Sequence, residues 1–110
     1  MRHGILALAL LTAVPTIAMA AKPNLGTVAE RSGYQQTGRY DEVIALCAAF
    51  QQAFPQAVRC FDFGTSPQGR PMKALAVSTS GALTADDARA KGVPVVLAQG
   101  GIHAGEIDGK

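Results

Sequence analysis

Apolar residues recur at helical spacing most clearly at Val43, Ile44, Leu46, Cys47, Phe50 and Phe54, which predicts a helix over Asp41 to Phe54 with one apolar stripe. Asp41 and Glu42 fall in its first turn, where the helix dipole favours negative charge, and Pro55 stops it. Such a stripe covers a sheet face. The period then shortens. Val58 to Phe63 and Met72 to Ser80 read as two strands around the glycine- and proline-rich stretch Gly64 to Pro71, so an antiparallel hairpin with a longish loop is expected. Thr84, with Asp87 three positions on, has the form of a helix start, and Gly92 that of a stop. Finally Val93 to Ala98, β-branched and followed by Gly100 and Gly101, reads as a strand buried on both faces in the middle of a parallel or mixed sheet.

Upstream of the helix the pattern is weaker. Residues 1–20 carry one positive charge at Arg2, an apolar run from Ile5 to Val14, Pro15, and the small-x-small triplet Ala18-Met19-Ala20, the layout of a secretory signal peptide. The run is shorter than the roughly 20 residues of a membrane span, so a chain without membrane attachment after cleavage, secreted or periplasmic, is expected. Residues 21–38, punctuated by Pro23, Gly26, Gly33 and Gly38, read as an irregular lead-in. Tyr34 and Tyr40 read as covering the edge of a core rather than as ligand-stacking groups.

Charge removes several function classes. Without Arg2 the nine remaining basic residues face eight acidic ones, and no basic cluster or basic–aromatic interleaving occurs, which argues against nucleic acid as a partner. Asp86 and Asp87 are adjacent and point apart on a helix, so charge at a helix start explains them better than calcium does. Gly109-Lys110 lacks the glycine five positions earlier that a phosphate-binding loop needs, because position 104 is Ala. Cys47 and Cys60 are the only cysteines. In an exported chain they are either an oxidised pair or two buried thiols, and the sequence leaves both open. Arg70 reads as a solvated turn residue before it reads as an anion site.

Chemistry concentrates after the apolar run. In His103-Ala104-Gly105-Glu106, an i, i+3 spacing on a helical turn sets an imidazole and a carboxylate on one side of the backbone, where both can hold one cation. Imidazole nitrogen and carboxylate oxygen are good zinc ligands, and a catalytic zinc takes three protein ligands plus water. The competing reading is a hydrogen-bonded structural histidine. In open α/β sheets the ligand crevice lies past the carboxyl ends of the strands, where this pair sits. Asp108 is either an outer partner of His103 or a plain polar residue.

At these residues the chain resembles the carboxypeptidase A-type zinc metallocarboxypeptidases, whose first two zinc ligands are a His-x-x-Glu pair after a central strand. The segment Tyr40-Asp41-Glu42-Val43, the turn Phe63 to Pro71, with its Gly69-Arg70 pair, and the strand Ala74 to Ser78 fall in the order and spacing of that family's amino-terminal end. The resemblance implies an α/β fold, the amino-terminal part of a mixed-sheet α/β/α zinc-exopeptidase domain, with one Zn2+ held by His103 and Glu106. It also implies a second histidine ligand, a glutamate general base and an arginine for the substrate's terminal carboxylate, all further along than Lys110. Residues 39–110 are then expected to be a truncated amino-terminal portion of the catalytic domain, since ninety residues make one small domain but not a layered sheet enzyme. Implied substrates are peptides hydrolysed near their carboxyl terminus, or acylated amino acids for a deacylase on the same scaffold. A non-catalytic exported module is the remaining alternative. Many digestive-type members carry an arginine just before the ligand glutamate, where this chain has Gly105.

Overall fold

The structure is a computed structural model and describes residues 22–103 and 105–106. The expected signal peptide, Asp108 and the Gly109-Lys110 pair lie outside the described residues. The elements run α1 (Val28–Arg31), α2 (Tyr40–Ala53), β1 (Val58–Thr65), β2 (Pro71–Val77) and α3 (Ala85–Ala90), so the chain is α/β.

Helix α2 and the hairpin form where the pattern places them. The Phe54 backbone leaves the helical region at φ −133°, ψ 60°, as the residue before a proline is driven to do. Strands β1 and β2 pair antiparallel, with Val58 opposite Val77, Cys60 opposite Leu75 and Asp62 opposite Lys73. The register shifts between Asp62 and Gly64, which makes Phe63 the extra residue of a bulge. Gly69, at φ +75°, takes the left-handed position that the connecting turn requires. Strand β2 ends at Val77, three residues before the expected end, because the Ser78 N–H donates to the Ala57 carbonyl, closing the hairpin, and the Ser78 hydroxyl then accepts from the Ser80 and Ala82 N–H groups in a turn.

The helix packs on the hairpin, and a disulfide joins them. Cys47 in α2 and Cys60 in β1 are bonded, with their Cα atoms 5.4 Å apart, which resolves the open question of their state. A second tie is the Tyr40 hydroxyl, which donates to the Pro71 carbonyl at 2.9 Å. Arg70 lays its guanidinium 5.1 Å from the Tyr40 ring centroid, so this turn arginine stacks on the ring, a cation–π contact. Burial is sparse: among the described residues only Cys47, Val58 and Ala88 are buried.

Three expectations are corrected. The lead-in is not wholly irregular, because Thr27 and Glu30 form a complete capping box around α1, a T-x-x-E signal legible in the sequence. Glu42 accepts from the Val28 N–H at 2.5 Å and lies 3.6 Å from Arg31, so it fixes α1 to the start of α2. Tyr34 covers no core; it is 80 % exposed at φ +63°, in the turn that ends α1. Most consequential, Val93 to Ala98 forms no strand, and Val95, Val96 and Leu97 are 76, 87 and 86 % exposed. A strand exists only when neighbours satisfy its N–H and C=O groups. Among the described residues the one sheet is the β1–β2 pair, and it does not extend to this segment.

Candidate metal centre

Two glycines shape the site. Gly101 and Gly105 lie at φ +64° and +88°, conformations that side chains with a Cβ rarely adopt. The Glu106 N–H donates to the His103 carbonyl at 3.3 Å. The expected helical turn is therefore a glycine turn, with no helix assigned to it. Its effect on the side chains is the one the spacing implies: His103 Nδ1 and Glu106 Oε1 face each other at 2.5 Å. The other carboxylate oxygen accepts from the His103 backbone N–H at 3.3 Å, so the carboxylate is gripped at both oxygens by one residue. These hydrogen bonds, the ring contact first and the backbone contact second, hold the Glu106 carboxyl below the ordinary carboxylate range.

The donor set suits zinc. One imidazole nitrogen and one carboxylate oxygen converge, from side chains 74 and 39 % exposed. Two ligands each about 2.0–2.2 Å from a tetrahedral ion stand farther apart than 2.5 Å, so the pair has to part slightly, and its exposure leaves room for that. A third ligand is not contributed locally: among the described residues no three His, Cys, Asp or Glu side chains gather into a metal-binding group. An apolar cavity lies elsewhere, lined by Phe50, Phe54, Ala57, Val58, Leu75 and Val77, and offers no polar group for chemistry.

A family model of the zinc carboxypeptidases matches residues 43–110, more than half of the chain. The chain belongs to the zinc carboxypeptidase family. The match takes in α2 from Val43 onward, the hairpin, α3 and the His103–Glu106 turn. No curated protein and no solved structure matches the chain. In this zinc carboxypeptidase chain, sequence reading missed the part played by Gly105, whose own identity was the available signal. An arginine at position 105 would be strained at φ +88°, so the departure from the digestive-type pattern has a backbone counterpart.

Proposed function

We propose that this chain is the amino-terminal part of an exported zinc-dependent metallocarboxypeptidase that hydrolyses peptide bonds near the carboxyl terminus of its substrates. The observation that carries this reading is the convergence of His103 Nδ1 and Glu106 Oε1 on one point, in a chain of this family. His103 and Glu106 hold the ion, and a bound zinc supplies Lewis acidity for activating water and polarising the scissile carbonyl. The His103 backbone N–H, donating to the second oxygen of Glu106, keeps that carboxylate turned toward the ring. Glu106 acts as a ligand and not as the general base, in contrast to His-Glu-x-x-His proteases, whose glutamate follows the first histidine directly. The third ligand and the base belong to residues beyond Lys110. Export rests on the pattern of residues 1–20.

A second reading, a deacylase acting on acylated amino acids or cell-wall peptides, rests on Gly105, which puts no side chain beside the ligand carboxylate. Hydrolysis of matched peptides with free and amidated carboxyl termini by the full-length protein separates the two. Strong preference for the free terminus is the carboxypeptidase result, and equal cleavage of both forms contradicts it.

A further inference from the structure

Helix α2 has fourteen residues, close to the length at which an isolated helix is marginal in water. Among the described residues the β1–β2 hairpin is a lone two-stranded sheet, also marginal by itself. Packing does little to unite them: Val43, Phe54, Leu75 and Val77 of this unit are between 42 and 70 % exposed. Of the three buried residues, Cys47 is one of the two most buried, and it is bonded across the interface to Cys60. The remaining polar ties are few, with the Gln51 side-chain oxygen accepting from the Cys60 N–H at 2.7 Å and Tyr40 donating to Pro71. The covalent bond thus stands where the most buried residue of α2 meets the hairpin.

We propose that the Cys47–Cys60 disulfide is a redox switch for folding: residues 40–77 hold their helix-on-hairpin structure when the sulfurs are bonded and lose it when a dithiol reduces them. Cys60 is only half-buried, which gives a reductant access. One thiolate of the dithiol attacks a protein sulfur, forming a mixed disulfide and expelling the other cysteine as a thiolate. The dithiol's second thiol then closes on the mixed disulfide. Two electrons pass to the protein, both cysteines end as thiols after taking up protons, and the reductant ends as a cyclic disulfide. The loop closed by the bond separates its ends by 13 residues, a length at which cross-linking favours the folded state by about a hundredfold. Resting on the export reading, the consequence is that residues 40–77 reach their helix-on-hairpin structure only in an oxidising compartment.

The test is limited trypsin digestion of the full chain before and after treatment with dithiothreitol, with thiol alkylation and mass measurement to establish the redox state. Cleavage after Arg59 and Lys73, one in each paired strand, reports the unit without using zinc or substrate. The expected result is slow cleavage of the oxidised chain, at least tenfold faster cleavage of the reduced chain, and recovery on reoxidation with glutathione disulfide. The double variant Cys47→Val/Cys60→Val, which keeps apolar bulk without the bond, is expected to be cut fast with or without dithiothreitol. Equal rates for oxidised and reduced chains, or slow cleavage of the valine pair, would overturn the proposal.

Discussion

Replacing Gly38 by alanine puts a Cβ where the Glu42 carboxylate already is. An ideal Cβ on Gly38 lies 1.6 Å from Glu42 Oε2 and 2.7 Å from its Cδ, so the carboxylate must leave. It is 17 % exposed and holds two contacts there, the Val28 N–H at 2.5 Å and the Arg31 guanidinium at 3.6 Å. Losing a hydrogen bond to a charged acceptor costs about 1.5–3 kcal/mol. The ion pair adds little, roughly 0–1 kcal/mol, because Arg31 is half-exposed and solvent screens it. Against this, alanine restricts the unfolded chain and returns about 0.4–1 kcal/mol. Gly38 is not among the residues with positive φ, so no backbone strain enters. The net expectation is destabilisation of the α1–α2 junction by about 1–2 kcal/mol, or roughly five- to thirtyfold faster exchange of the Val28 amide. The sign reverses once Glu42 is gone: in a Glu42→Ala background, Gly38→Ala should be neutral or stabilising. Hydrogen exchange on the four proteins of this double-mutant cycle measures the coupling directly. An equal effect of Gly38→Ala in both backgrounds would refute the reasoning.

Two further outcomes follow from helix starts. Thr84 accepts from the Asp87 N–H at 3.1 Å and donates to its carboxylate at 2.6 Å, so Thr84→Ala should weaken α3 by about 1 kcal/mol, read as several-fold faster exchange of the α3 amides and restored by Thr84→Ser. Glu30 is held below the ordinary carboxylate range by the Thr27 backbone N–H first and the Thr27 hydroxyl second. Its folded pKa is depressed, so its contribution is present above the ordinary Glu value and lost as pH falls through the folded one. Amide protection in α1 should therefore decline with acidification in that window, and Glu30→Gln should abolish this pH dependence while leaving that of α3 unchanged.

What was legible in the sequence was local. The α2 stripe, the strand–turn–strand pattern around Gly69 and the Thr84 cap each carry their own instructions within a few residues, and each forms, although β1 runs on to Thr65 and β2 stops at Val77. The His103–Glu106 encounter was legible from spacing, although a glycine turn and not a helix brings it about. The missing pieces depend on distant partners. Val93 to Ala98 has the composition of a buried strand, but composition cannot name the neighbours that would supply its hydrogen bonds. Pairing of Cys47 with Cys60 required knowing that α2 lies on β1. Tyr34 was misread because a tyrosine's apolar ring says nothing of the left-handed backbone that turns it to solvent. The α1 capping box was a local signal overlooked among glycines.

Native mass spectrometry of the full-length protein with its bound metal, compared with the Glu106→Gln variant, tests the central claim most directly. If His103 and Glu106 both hold the ion, the unmodified protein carries one zinc that chelation removes, and the glutamine variant loses zinc occupancy together with activity. A glutamine variant that keeps full zinc occupancy, or an unmodified protein that carries no metal when zinc is supplied, would contradict it.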